Sequence, residues 1–186
     1  NAEPKEHHAS SDAEESRTSR FLTGQDMYPF SEKEMKGIES SAYICQYVCD
    51  HAELFTILRG KLRDGKKVRF ILDRGMFKSS SCSMQATRIK ELLDMRETTD
   101  FQLRVYKPAG NGFPMTHAKT IIMDENRLLS GSVNMTHNGL ENNKEHLSRM
   151  TEPSLITDVM ADFEKLWGAA EEVTPELIDK VLAIHK

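Results

Sequence analysis

Apolar positions follow two periods along this chain, one typical of strands and one typical of helices. Short apolar runs at Ser41–Cys49, Lys67–Asp73 and Phe101–Tyr106 predict β-strands. Leucines and isoleucines at helical spacing predict helices at Ala52–Arg63 and from Met84 to about Glu97. Strands joined by helix-length crossovers form βαβ units, so we expect parallel pairing between them.

Helix-start signals and apolar spacing place further helices near the two ends of the chain. Ser31, followed by Glu34, has the spacing of a capping box and predicts that a helix begins at Ser31. Two more helices are predicted at about Ser154–Trp167 and Pro175–His185, the second capped by Thr174. The predicted fold class is α/β, with a mixed, largely parallel β-sheet flanked by helices on both faces.

Composition divides the chain into three parts. The first 20 residues are rich in Glu, Ser and His and have no apolar periodicity, which predicts a disordered polar tail at 1–20. Residues 21–170 form the predicted domain, and 171–186 a C-terminal helix that packs on it. The sequence begins with Asn rather than Met. Removal of an N-terminal segment, and with it a mitochondrial or other organellar location, is therefore left open; the compartment is unknown.

Bulk composition excludes some classes of protein. Apolar residues make up 38% of the 186 residues and charged residues 29%, as in soluble globular proteins. No apolar run approaches the ~20 residues that a membrane span needs. We expect Cys45, Cys49 and Cys82 to be buried, reduced thiols, because Cys45 and Cys49 are too far apart along one strand to bond. No Cys/His pair has zinc-finger spacing.

Groups suited to a phosphate ester are concentrated in the stretch Thr116–Leu147. A predicted strand at Ala118–Asp124 puts His117 and Lys119 on one face, because side chains alternate along a strand. A second strand at Leu128 and Leu129 ends at the small-residue turn 131–134. The two strands would bring an imidazole, an ammonium, a hydroxyl, a carboxamide and backbone N–H groups to one end of a sheet.

This stretch resembles the signature of the phospholipase D superfamily, H-x-K-x4-D followed by G-S-x-N. The matching residues are His117, Lys119, Asp124, Gly131, Ser132 and Asn134. Asn143 and Glu145 are similar to the N-x-E that closes the family motif. The resemblance covers roughly Phe30 to Trp167 and implies the fold predicted above.

The resemblance also implies roles for these residues. His117 would be the nucleophile and form a phosphohistidine, while Lys119 and Asn134 bind the phosphate oxygens. Glu145 would hold the other nitrogen of His117 and fix its tautomer. Asp124 is counted as catalytic, although its place at the far end of the strand leaves a role in the turn open. The predicted substrate contacts are Gly131, Ser132, Asn143 and, on loops near the site, Arg74 and Lys107.

The chain holds one copy of the motif, whereas the mechanism needs a second histidine to protonate the leaving oxygen. The resemblance therefore implies a homodimer with its site on the two-fold axis. His137 and His146 are nearby alternatives, but neither has a lysine two residues on. Neither the resemblance nor ligand spacing calls for a metal or another cofactor.

Small single-motif members of this superfamily include endonucleases, and the chain has little room for a lipid-binding domain. We therefore expect a metal-independent endonuclease, with single-stranded nucleic acid favoured. The net charge of −4 argues against this weakly. A basic run partly offsets the net charge, although it also fits an ordinary solvated surface: Arg59, Lys61, Arg63, Lys66, Lys67 and Arg69. In the predicted Arg74–Ser83 loop, Phe77 could stack on bases or pack in the core, and the same holds for Phe113.

Two other readings stay open. One is a phospholipase or cardiolipin hydrolase at an organelle membrane, and the other a catalytically silent subunit of a larger complex. The sequence does not decide between DNA, RNA and lipid.

Overall fold

The computed structural model describes residues 19–107 and 116–184, and the strands in these ranges form one eight-stranded sheet. They are β1 (Arg20–Thr23), β2 (Ser41–Gln46), β3 (Lys67–Asp73), β4 (Phe101–Tyr106), β5 (Thr120–Met123), β6 (Arg127–Gly131), β7 (His146–Met150) and β8 (Glu171–Glu172). Their order across the sheet is β1-β7-β6-β5-β2-β3-β4-β8.

The sheet is mixed. Strands β2, β3 and β4 run parallel, with Ser41 opposite Lys67 and Val68 opposite Phe101. All other pairings are antiparallel, including that of β5 with β2. Strands β5 and β6 pair antiparallel because the tight turn between them is too short for the crossover connection that parallel strands need. The predicted α/β class with a mixed sheet is confirmed, but the sheet is not largely parallel: parallel pairing is confined to the three strands that alternate with helices.

Helices cover both faces of the sheet. They are α1 (Met27–Lys36), α2 (Ala52–Arg63), α3 (Arg74–Lys78), α4 (Ser83–Leu93), α5 (Pro153–Ala169) and α6 (Pro175–Ile184). Side chains of α1, α2, α4 and α6 share one core cluster, which includes Met27, Phe55, Ile89 and Ile178. A smaller cluster on the opposite face packs Phe163 of α5 against the sheet. None of the helices in the described ranges is long and apolar enough to cross a bilayer.

The predicted capping box at the start of α1 is wrong. The helix begins at Met27, and Ser31 lies inside it with its hydroxyl donating to the Met27 carbonyl at 2.8 Å. Glu34 is buried and accepts hydrogen bonds from Arg149 at 2.7 Å and from Arg127 at 3.1 Å. A carboxylate needed by two guanidinium groups in the interior is not available to cap a helix.

Other boundaries differ by a few residues. Strand β2 ends at Gln46 rather than Cys49, and the predicted Arg74–Ser83 loop contains the short helix α3. Asp73 caps α3 by accepting from the backbone N–H of Met76 at 3.0 Å. The Thr174 cap on α6 is confirmed by a 3.2 Å hydrogen bond from the N–H of Leu177. All three cysteines are free and buried, as predicted. Of the predicted disordered tail at 1–20, residues 1–18 lie outside the described residues, as does Phe113, whereas Arg20 begins β1 and was wrongly assigned to the tail.

Candidate functional site

The segments that carry the motif meet at one edge of the sheet. Cys45, near the carboxyl end of β2, lies opposite Thr120 at the start of β5. Thr120 lies in turn opposite Ser130, and Gly131 opposite Leu147. The residues just before β5, just after β6 and just before β7 therefore share this edge. It is also the carboxyl edge of the parallel strands, where open α/β sheets build ligand sites.

His117 and Lys119 are in direct contact at this edge. Nζ of Lys119 lies 3.0 Å from Nδ1 of His117 and donates to the His117 carbonyl at 2.9 Å. An ammonium has no lone pair, so it bonds to a ring nitrogen only when that nitrogen is unprotonated. The contact therefore fits a neutral imidazole, the form that can act as a nucleophile. His117 is exposed to solvent, whereas Lys119 is buried.

The ammonium group of Lys119 is partly desolvated. Burial lowers the pKa of Lys119, and the carboxylate of Glu145 opposes that shift. A desolvated ammonium interacts more strongly with an incoming anion than a solvated one does, because less water screens it.

Two residues that the sequence analysis missed hold His117 in place. Asp73 accepts the backbone N–H of Thr116 at 3.2 Å, with the carboxylate oxygen that is not used to cap α3. The ring of Tyr47 lies 4.7 Å from the His117 ring between centroids, and Nζ of Lys119 lies 5.6 Å from the Tyr47 centroid. The only sequence signal for either was its position at or near the carboxyl end of a predicted strand.

Ser132 and Glu145 form a hydrogen-bonded pair at the same edge. The Ser132 hydroxyl donates to the Glu145 carboxylate and accepts from the N–H of His146 at 3.1 Å. The expected hydrogen bond from the His117 ring to the Glu145 carboxylate does not occur among the described residues; one carboxylate oxygen accepts from Ser132 instead. Glu145 still faces the site, since its charge acts on the pKa of Lys119.

Gly131 and Asn134 flank this pair. A Cβ at position 131 would lie 2.2 Å from the His146 carbonyl oxygen, so the close approach of β6 and β7 requires glycine there. The side-chain oxygen of Asn134 is buried without a hydrogen-bond partner among the described residues. An amide oxygen only accepts hydrogen bonds, so a phosphate oxygen would have to be bound by the NH₂ group of the same side chain. Asn143 is exposed.

Arg74 and Lys107 lie at the same edge of the sheet as His117. They follow β3 and β4, and β2 separates these two strands from β5. Arg74 is half-buried, with a guanidinium nitrogen 3.9 Å from Glu171, and Lys107 is exposed. Both charges are placed to extend a binding surface beyond the group around His117.

Asp124 does not join this group, which corrects its predicted catalytic role. It sits at the opposite end of β5 with φ of 54°, accepting N–H bonds from Ser40 at 2.7 Å and Ser41 at 3.1 Å. It also accepts from the guanidinium of Arg127 at 2.7 Å. Burial alone would raise the pKa of Asp124, but the backbone hydrogen bonds outweigh burial and lower it. Asp124 therefore ties the β5–β6 turn to the start of β2.

The basic run also lies away from the site. The run extends from the second half of α2 to the start of β3. Strand β3 begins at the sheet edge opposite to the one that carries His117. Arg59 pairs with Glu91, and Arg69 pairs with Asp100 at 2.7 Å. Phe77 is fully buried in the core, so stacking of its ring on a base is excluded.

Comparisons with known proteins show the family of this chain. Residues 32–167 match the family described as cardiolipin synthase, PLD-like domain. The chain belongs to the phospholipase D superfamily. It is 34% identical over 70 residues to a protein named mitochondrial cardiolipin hydrolase from Danio rerio, an alignment covering 38% of this chain and 31% of that protein. The chain therefore spans about a third of the length of this curated relative.

Solved structures with the same fold include NucT from Helicobacter pylori and Nuc, a phospholipase D family member, from Salmonella typhimurium. Each has a TM-score of 0.69 and 16% identity, over 84% of this chain and 99% of the other. Phosphatidylserine synthase from Haemophilus influenzae has a TM-score of 0.70 and 14% identity, over 90% of this chain and 44% of that one. At these identities the likeness is one of fold.

Proposed function

We propose that this chain is a phosphodiesterase that cleaves single-stranded nucleic acid through a covalent phosphohistidine at His117. The observation that carries the proposal is the buried ammonium of Lys119 held 3.0 Å from the exposed ring of His117. Membership of the superfamily supports phosphodiester chemistry in general.

The reaction has two steps. In the first, the lone pair of a His117 nitrogen attacks phosphorus, an N–P bond forms, and the bond from phosphorus to the leaving oxygen breaks. In the second, water gives a proton to the group that protonated the leaving oxygen and attacks phosphorus, a P–O bond forms, the N–P bond breaks, and the phosphate product leaves with His117 restored. Lys119 and the carboxamide of Asn134 bind the non-bridging oxygens, whose negative charge grows in each transition state. Ser132 and Glu145 hold the end of β6 against the start of β7, which fixes the position of Asn134.

The leaving oxygen must receive a proton, and we assign this role to His117 of a second copy in a homodimer. Two observations support the assignment. The chain contains the sequence H-x-K once. The alternative histidines are engaged elsewhere: His137 pairs with Glu141 at 2.9 Å, and His146 stacks on Phe21 with centroids 5.7 Å apart.

Nucleic acid is favoured over lipid by the surface beside the site. The cleft next to Asn143 and Glu145 is lined by the polar residues Thr23, Gln25, Asn142 and Lys144, with no large apolar side chain. This cleft offers hydrogen bonds to a polar strand, and its lining also carries the carboxylates of Glu141 and Glu145, which oppose the approach of phosphates. Tyr47, half-buried beside His117, provides an aromatic face on which a base can stack.

The second candidate function is cardiolipin hydrolysis in a mitochondrion. It is favoured by the name of the Danio rerio relative and by the description of the matching family. Both candidate functions are the hydrolysis of a phosphodiester. They differ in the substrate, which is nucleic acid in one and cardiolipin in the other.

One paired assay separates the candidates. Purified protein is given end-labelled single-stranded oligonucleotides and, separately, cardiolipin vesicles, both in EDTA at a temperature well below its unfolding transition. We expect oligonucleotide cleavage in wild type and in the control His146→Ala, and loss of cleavage in His117→Ala. Vesicle hydrolysis with intact oligonucleotides would replace the nuclease assignment by the lipase one. If neither substrate is cleaved by a dimer, the chain is a silent subunit.

A further inference from the structure

Two histidines and a glutamate form a second cluster, outside the group around His117. Nε2 of His51 and Nδ1 of His137 both lie 2.9 Å from one carboxylate oxygen of Glu141. The three residues can each present one ligand atom within 4.8 Å of the others, and no other such set occurs among the described residues.

The backbone brings these residues together from distant parts of the sequence. His51 precedes α2, and its N–H donates to the carbonyl of Met135 at 3.1 Å. His137 and Glu141 lie four residues apart around a π-helical turn at Asn138–Asn142. The cluster therefore joins the segment after β2 to the turn that leads to Asn143 and Glu145.

The ring of His51 is buried and held in place by packing. Its side chain is 5% exposed and stacks on Tyr28, with 4.6 Å between centroids. Its Nε2 faces Glu141 and is the nitrogen that would bind a metal. Nδ1, which is buried with no hydrogen-bond partner among the described residues, is not part of the ligand set. A ligand side chain that packing already fixes loses little freedom when it binds.

The surroundings of the cluster attract a cation. A cleft of about 550 Å³ opens onto it, and its lining includes the carboxylates of Asp50, Glu53 and Glu141 against the single guanidinium of Arg88. Arg88 is partly committed, because its Nε donates to the Asp50 carbonyl at 2.7 Å.

We propose that His51, His137 and Glu141 bind a zinc-type divalent cation, with the fourth position open to water. Two imidazoles and one carboxylate form a ligand set that zinc accepts in tetrahedral geometry. With metal–ligand bonds of about 2.1 Å, tetrahedral ligand atoms stand roughly 3.4 Å apart. The two 2.9 Å contacts must each widen by roughly half an ångström, which side-chain rotation supplies without backbone movement.

Binding would cross-link the start of α2 to the π-helical turn, so we expect the metal to stabilise the fold rather than to act on the phosphate. The inference does not depend on the proposed function, because it is tested without substrate.

The test is a zinc titration of the full chain after chelator treatment, by competition with a chromophoric chelator. We expect one tight site per chain that Mg²⁺ does not fill, since magnesium prefers oxygen ligands. His137→Ala should weaken the affinity roughly tenfold or more, because losing a neighbour that only orients a metal ligand already costs 10- to 100-fold. Glu141→Gln should do the same. The His137 side chain is 67% exposed, so its removal should leave the fold intact.

Matched controls separate this site from other zinc-binding groups. His7→Ala/His8→Ala removes the adjacent histidines of the N-terminal stretch, and His146→Ala removes an exposed histidine; both should retain the tight site. Zinc should raise the melting temperature of wild type and both controls, but not of His137→Ala or Glu141→Gln. Cobalt substitution should give a spectrum without a thiolate band, which excludes the cysteines. Equal zinc affinity in wild type and His137→Ala, or no tight binding in wild type, would overturn the proposal.

Discussion

Replacing Lys119 by Met tests the proposed role of the buried ammonium. The side chain is 6% exposed, and methionine is apolar, unbranched and of similar length. The substitution removes the charge 3.0 Å from His117 without opening a large cavity. Because burial already lowers the pKa of Lys119, the charged form gains little from its surroundings, and we expect the melting temperature to change little.

The expected loss of activity follows from the geometry. A unit charge about 4 Å from a phosphate oxygen contributes about 4 kcal/mol at an effective dielectric constant of 20. Removal of one such preorganised donor from an enzyme typically costs about 2.7–4 kcal/mol, or about 10²–10³ in kcat. We therefore expect Lys119→Met to lower kcat for oligonucleotide cleavage by about two to three orders of magnitude. The fall in kcat/KM should be at least as large, because the contact strengthens in the transition state.

The assay is steady-state cleavage of a labelled single-stranded oligonucleotide, with circular dichroism and a melting curve for each variant. Lys165→Met, which removes an exposed charge from α5, is the matched control and should keep the wild-type rate. If folded Lys119→Met keeps kcat within about threefold of wild type, the ammonium does not stabilise the transition state. If only KM rises, Lys119 binds the ground state alone.

Three further predictions follow from the same geometry. Asp124→Asn should lower the free energy of unfolding by about 1–3 kcal/mol at neutral pH, measured by urea denaturation, because the N–H groups of Ser40 and Ser41 and the guanidinium of Arg127 lose a charged acceptor. Since the folded state lowers the Asp124 pKa, its contribution is present above the unfolded pKa and is lost as pH falls, so the mutant and wild-type stabilities should converge in acid. Gly131→Ala should destabilise the β6–β7 pair and lower the melting temperature, because its Cβ would meet the His146 carbonyl at 2.2 Å. Mixing equal amounts of wild type and His117→Ala, after dissociation and reassembly, should reduce the activity per wild-type chain to roughly half, because mixed dimers lack one histidine; unchanged activity would show that each chain works alone.

The sequence predicted those parts of the fold that depend on local patterns. The bounds of β3, β4 and α2 were predicted correctly from their apolar positions. Each of these elements buries apolar side chains at the spacing typical of a strand or a helix. The sequence also predicted that His117 and Lys119 would lie together, although both residues precede β5 and strand alternation is not the cause.

The errors arose where the partner of a side chain is remote in sequence. Glu34 has the spacing of a capping box, yet its partners Arg127 and Arg149 lie 93 and 115 residues away. Asp124 stands within the motif, yet its carboxylate bonds to backbone groups more than 80 residues earlier. His51 and Glu141 are 90 residues apart, so no local spacing indicates that they form a cluster. Only the folded topology brings such pairs together.

Asp73 connects β3 to two later parts of the chain. Tyr106 lies beside Asp73 in the sheet, and the N–H of Thr116 bonds to the Asp73 carboxylate at 3.2 Å. His117 follows Thr116 directly, so the carboxyl end of a parallel strand helps to set the backbone position of a residue that precedes an antiparallel one. A change at Asp73 would therefore reach His117 through the backbone, without any contact between the two side chains.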